Sequence, residues 1–350
     1  MGTLNEQAAE EYIAARAFTP GVPGFVGIAV DLLVDPACAP SGRRPLRHGF
    51  LDTRSPRILV VSGPPSPGLE VALRRMGDDL DASARIVDRH RLTVVPQATG
   101  TLHPESPAHA IVTATAGIRV GLEAGLDGGG PLGLHRRWGL AHMLAPVLAA
   151  AFANAPLRHG RPTGWRSVRQ ALRRDLPLGP VRGEPQAAWA AYVMDTPAGT
   201  GSTPRQTLRA GGRLTPAELN RHLAGLRPPV AARGHLELDV ADRQAGNGWR
   251  VPAAVTAVLL DDPRAAEEAT EATARLAGEP ALWERAARDA LTDPALAAAA
   301  RDCFMAAYAA LSRQGVSREL RDAVADFIER YVCRNRCPAD DVLDGATASP

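Results

Sequence analysis

Lysine is absent from this chain: every one of its 40 basic residues is arginine. That absence removes several chemistries at once. No P-loop lysine can reach a nucleotide phosphate, no kinase-type strand lysine exists, and no Schiff base to pyridoxal phosphate can form. Any phosphate must be held by arginine, backbone N–H groups or a metal. Aromatic residues are scarce, at 4%, so the core has to be built from Ala, Leu and Val. Four cysteines, Cys38, Cys303, Cys333 and Cys337, are too few for a disulfide scaffold in 350 residues. Reduced thiols and a cytoplasmic location are the expectation. The start, MGTLNEQAAEEY, has neither a basic nor an apolar leader, so secretion is not expected. A formal net charge of +2, with arginines dispersed among acids, gives no footing for nucleic acid.

What is present points to a large core, since 45% of residues are hydrophobic and 22% charged. The 33 glycines and 30 prolines imply long irregular connections. The stretch from Leu134 to Arg169 organises the rest. Leu134, Trp138, Ala141, Ala145, Leu148 and Phe152 recur at helical spacing, and apolar residues fill most other faces. A helix apolar nearly all round belongs inside a domain. A membrane span is excluded because much of the run is Ala and because His142, Pro146 and Asn154 interrupt it. Pro146 is expected to bend or split the helix near Met143. Thr163 is expected to cap a second helix with Arg166, Arg169 and Arg173 along one side.

Strands are predicted at Phe25–Val34, Arg57–Gly63, within RLTVVPQ, in Ala110–Leu126 as a long strand or hairpin, and at Gly234–Val240. The first, second, fourth and last are expected to share one sheet. Ser66 reads as the cap of a helix to Arg89, and Thr215 as the cap of one through Leu226. Gln186–Met194 reads as helix and Thr196–Gly212 as loose. From Val251 to Val332 the pattern is helical throughout. The sum is an α+β fold in a single domain, 1–350, with 1–130 mainly sheet and 131–350 a helical shell with one returning strand.

Few local motifs carry chemistry. GVPGFVG, Gly21–Gly27, precedes a strand instead of opening a helix, so it is a turn and not a phosphate loop. Cys333 and Cys337 lack a second ligand pair nearby, which argues against zinc. On the late strand, Glu237 and Asp239 are two apart and share a face. Paired strand carboxylates can hold Mg²⁺ beside a nucleotide, and the same spacing equally suits a solvated edge strand.

Three segments together resemble a known family. RRWGLAHMLAPVLAAAFANAPLRHGRPTGWRSVRQAL, GHLELDVADRQAGNGWRVPAAVTAVLLDDPRAA and the tail CRNRCPADD are similar to the type-2 glutamate–cysteine ligases, in particular the ergothioneine-pathway branch. The resemblance covers nearly the whole chain from Val26. It implies a glutamine-synthetase-like fold, an antiparallel sheet forming a cup with helices outside. It also implies a reaction in which ATP phosphorylates the γ-carboxylate of glutamate and the cysteine amine displaces phosphate, with Mg²⁺ as counter-ion. By the same resemblance Asp31, Glu237 and Asp239 are the remaining metal ligands. Arg169 and Arg166 fall to phosphate, with Arg169 alternatively on the glutamate carboxylate. Asn154 lies in the family's Asn-[SA]-Pro element, and a helix cap is the other reading of it.

The departures from the family pattern fall on the cup strands. The pattern G-[VI]-E-x-E reads GIAVD here, with Ala29 and Asp31 at the acidic places. GGQ-x-E-x-S becomes PRILVVSG, with Ile58 at the glutamine and Val60 at the acid. TAS-x-Q-V-N-L-D becomes TAGIRVGLE, with Arg119 at the glutamine and Gly121 at the asparagine, while Glu-x-Arg becomes Glu237-x-Asp239. Removing a metal-ligand carboxylate deletes a charge and a coordination bond together, about 10²–10³ in rate for a few kcal/mol of lost transition-state binding. An impaired ligase is therefore expected. The alternative is a non-catalytic paralogue, a partner subunit of an intact ligase or a small-molecule binder.

Overall fold

The computed structural model describes residues 2–96, 98–99, 115–173, 183–197 and 201–347. Among these residues eleven strands follow one another as β1 Phe25–Asp35, β2 Arg44–Pro45, β3 Phe50–Ser55, β4 Ile58–Ser62, β5 Ser66–Pro67, β6 Thr93–Val95, β7 Gly117–Leu122, β8 Leu157–Arg158, β9 Arg161–Pro162, β10 Val230–Ala232 and β11 Leu236–Asp242. Nine of them build one sheet in the order β10-β11-β7-β1-β4-β3-β2, with β5 and β6 also paired to β1. Each of its pairings is antiparallel. The expected sharing of one sheet by the first, second, fourth and last predicted strands holds, and residues 110–114 lie outside the described ones.

Residues directly opposite across antiparallel strands project to the same side, so register assigns the two faces. Val30 faces Val61 and Ile118, and Val120 faces both Ile28 and Leu238. These residues are buried under the helices Leu69–Arg89, Leu134–Ala151 and Arg250–Asp261. The opposite set carries the chemistry. Ala29 faces Arg119 and Ser62, Asp31 faces Val60, Leu33 faces Ile58, and Gly121 faces Gly27 and Glu237.

The central helix runs unbroken from Leu134 to Ala151 with Pro146 inside it. Pro146 removes one backbone donor, and burial of Leu144, Val147 and Leu148 on both sides holds the helix together across it. Ser66 does not cap the helix that follows. It pairs with Val26 in β5, and the helix starts at Leu69 after Gly68, whose φ of 78° suits glycine. Thr163 caps no helix either. Its hydroxyl donates to the Pro156 carbonyl, Gly164 adopts φ 85°, and Ser167 caps the short helix Val168–Ala171 by accepting from the Gln170 N–H. The stretch expected to be loose includes the helix Pro204–Arg209, fixed by a Thr203–Gln206 capping box. Pro338–Thr347 adds a last helix beyond the predicted ones.

One histidine of the central helix sets an acid limit. His142 lies 4.4 Å from the Trp138 ring, and its Nε2 is sealed without a hydrogen-bond partner among the described residues. Burial drops its pKa to about 4. The folded value lies below the unfolded one, so the unfolded chain binds the proton first and stability falls as pH drops from about 6.5 to 4. His142→Gln is expected to remove a loss of about 2–3 kcal/mol across that window, measured by urea unfolding at pH 7 and pH 4.5.

Candidate active site

The site is built where β1, β7 and β11 run side by side. Asp31, at 1% exposure, accepts from Arg54 at 2.8 Å, Arg119 at 3.1 Å and the Gly117 N–H at 3.1 Å. Arg243 donates to the Asp31 carbonyl at 3.1 Å. Asp239 is gripped by Arg169 and by Arg173, the latter at 2.6 Å. Arg169 also stands 3.6 Å from Asp242. A Cβ at position 117 would lie 2.4 Å from Arg169 Cζ, so Gly117 makes room for that guanidinium.

A further layer holds these charges in place. Gln170 accepts from Arg173 at 2.8 Å and donates to the Val240 carbonyl at 2.6 Å. The Asn154 N–H donates to Asp242 at 2.8 Å, and its side-chain amide donates to the Arg243 carbonyl at 2.8 Å. Asn154 thus ties the end of the central helix to the end of β11 and is not a helix cap.

The titration balance follows from this packing. Burial pushes the Asp239 carboxyl up, but Arg169, Arg173 and the more distant Arg119 and Arg54 outweigh it and hold the carboxyl well below its ordinary range. Asp31 is likewise held down by Arg119 and Arg54 against its own burial. Asp242 goes the other way, because burial outweighs the help of Arg169 and the Asn154 N–H. Burial brings Arg173 down to about 10 despite Asp239.

Of the residues singled out in the sequence, Asp31, Glu237 and Asp239 converge around Arg119, whose charge all three favour against the cost of burial. Glu237 stands 3.7 Å from Arg233. Arg169 is buried within this cluster. Arg166 precedes the short helix and turns away to Asp340 at 3.1 Å, so the two arginines do not share a face. Arg54, Asp242 and Arg243 were not anticipated, and Arg173 was expected only along one side of a helix and not on Asp239. Arg54 belongs to β3, a strand whose polar sequence FLDTRS gave no signal, and the others depend on tertiary pairing.

The acids fit a divalent ion poorly as they stand. Asp31 and Asp239 each spend both oxygens on donors, and no group of three His, Cys, Asp or Glu side chains that could hold a metal ion occurs among the described residues. The positions where the family pattern carries acids, Ala29 and Val60, pack with Leu33, Ile58, Ala116 and Val95 in a small apolar cluster on the same face.

An antiparallel sheet with one helix-covered face and one charged face is the arrangement expected of a glutamine-synthetase-like ligase fold. Within it the chain belongs to glutamate–cysteine ligase family 2 (GCS2), which matches residues 78–349. It is 32% identical over 408 aligned positions to glutamate–cysteine ligase EgtA of Mycolicibacterium smegmatis, covering 99% of this chain and 92% of that protein. Identity to EgtA of Mycobacterium tuberculosis H37Rv is 30%, with 98% and 91% covered. Among solved structures, a glutamate–cysteine ligase from Francisella tularensis in complex with AMP matches at a TM-score of 0.56 and 12% identity, covering 95% of this chain and 86% of that one. That likeness bears on the fold. Among the described residues no helix is long and apolar enough to cross a membrane.

Proposed function

We propose that the chain is an ATP-dependent glutamate–cysteine ligase by descent, of the ergothioneine-pathway kind, whose catalysis is impaired. It would act in the cytoplasm as a single domain spanning 1–350, with glutamate and cysteine as substrates. The carrying observation is the sheet face itself. Ala29 and Val60 lie in an apolar cluster, and the neighbouring acids Asp31 and Asp239 are committed to arginines.

The chemistry Mg²⁺ would supply there, if bound, is neutralisation of the triphosphate charge. Asp31, Glu237 and Asp239 are the acids left to hold it, and a guanidinium has to be displaced first. In this reading Arg169 holds Asp239, and Arg166 ties the loop before its helix to the C-terminal segment. For either to reach a phosphate its present partner has to let go. Glutamate- and cysteine-dependent ADP release with Mg²⁺ should therefore stay near background. Brisk, sustained release would overturn the reading.

A second reading, a non-catalytic partner of an intact ligase, is favoured by the same self-neutralised charges. It predicts that the chain co-purifies with such a ligase from its own cells and alters that enzyme's stability or rate. If an intact ligase is present there but never co-purifies, the partner reading fails.

A further inference from the structure

The site has its cation already. Arg119 stands opposite Ala29 across β1 and β7, with its guanidinium 3.1 Å from Asp31. Asp31, Asp239 and Glu237 all act on it, and these are the acids a metal would have to bridge. Its side chain keeps 11% exposure. More positive charge surrounds it. Arg227 and Arg243 are half-buried, and the Nε of each is sealed without a hydrogen-bond partner among the described residues. Arg227 feels Arg119 and Arg233 as like charges and Glu237 and Asp239 as opposite ones, which sets it within the same field. Among the described residues, arginines around these acids outnumber them, with Arg54, Arg119, Arg169, Arg173, Arg227, Arg233 and Arg243 against Asp31, Glu237, Asp239 and Asp242.

A guanidinium stays charged at any working pH and presents donors in a fork that matches phosphate oxygens. A face with acids and no cation needs a metal before it accepts a polyanion. This face has the cation built in.

We propose that Arg119 replaces the divalent ion here, and that the face binds a di- or triphosphate group without metal. The proposal rests on reading this face as the family's active-site cup. Calorimetry of the full chain with inorganic pyrophosphate, in EDTA and then in Mg²⁺, tests it. Binding is expected in EDTA and should not strengthen when Mg²⁺ is supplied. Arg119→Gln should weaken binding in EDTA at least tenfold. Because Arg119 neutralises a buried acid, its loss can unfold the chain, so Arg227→Gln is the companion variant. It leaves the Arg119–Asp31 pair intact and should weaken binding several-fold, with circular dichroism reporting the fold. Pyrophosphate binding that requires Mg²⁺, no binding in either condition, or folded variants that bind as the wild type does would each overturn the proposal. The impaired-ligase reading fails on a separate result, brisk ADP release, so the two cannot be confused.

Discussion

Arg169→Ala is expected to lower the stability of the folded chain by about 3–5 kcal/mol, enough to threaten folding at growth temperature. The side chain is buried and pairs with Asp239, which is itself buried, and it stands 3.6 Å from Asp242. Removing it leaves Arg173 as the remaining direct ion pair of Asp239 and takes from Asp242 the cation 3.6 Å away. Two buried like charges that lose the cation nearest both cannot both stay ionised cheaply. One should take up a proton, so the defect should grow as pH rises above the carboxylate range. Arg169→Ala combined with Asp239→Ala should recover part of the loss, since the orphaned charge goes with its partner. Chemical denaturation of the wild type, both single variants and the double variant gives the coupling. A single-variant effect under about 1 kcal/mol would place the pair among exposed, weak ion pairs and contradict the packing described above.

The second large effect concerns restoration. Ala29→Glu puts a carboxylate directly across from Arg119, because residues 29 and 119 are register partners. That carboxylate would be taken by the guanidinium and would be of no use to a metal. Val60→Glu places a second one opposite Asp31, among Leu33, Ile58 and Ala116. Restoring the acids alone should therefore bring little Mg²⁺ binding. Adding Arg119→Gln frees the carboxylate at position 29 and the Asp31 oxygen that Arg119 holds. The triple variant A29E/V60E/R119Q is expected to strengthen Mg²⁺-dependent nucleotide binding by one to two orders of magnitude over the wild type. The double variant A29E/V60E should fall far short of it. Calorimetry with ATP and Mg²⁺, paired with circular dichroism, checks both. Equal gains from the double and triple variants would show that Arg119 does not occupy the cation position.

The sheet was legible because β1, β7 and β11 carry one apolar and one chemically distinct set of side chains at a period of two. β3 escaped because FLDTRS alternates weakly, and a two-residue turn at Pro56–Arg57 hides the hairpin that pairs it with β4. The capping errors share a cause. Ser66 and Thr163 both have the chemistry of a cap, and tertiary partners claim each of them first, strand pairing in one case and the Pro156 carbonyl in the other. For the site, local spacing indicated Glu237 and Asp239 as a pair, and the family pattern showed which acids were missing. Neither could show that Arg54, Arg119, Arg169 and Arg173 close on the acids that remain. Those pairs join residues as far apart as 23, 88, 70 and 66 positions, and only the assembled sheet and the Ser167 cap bring them together.

If arginine and aliphatic side chains occupy the place of a metal centre, as proposed, ligation is impaired, and glutamate- and cysteine-dependent ADP release by the unmodified chain with saturating ATP and Mg²⁺ measures this most directly. The rate should be indistinguishable from the background without glutamate. Sustained turnover that requires both amino acids and Mg²⁺ would contradict it and mark this face as a working metal centre of unfamiliar composition.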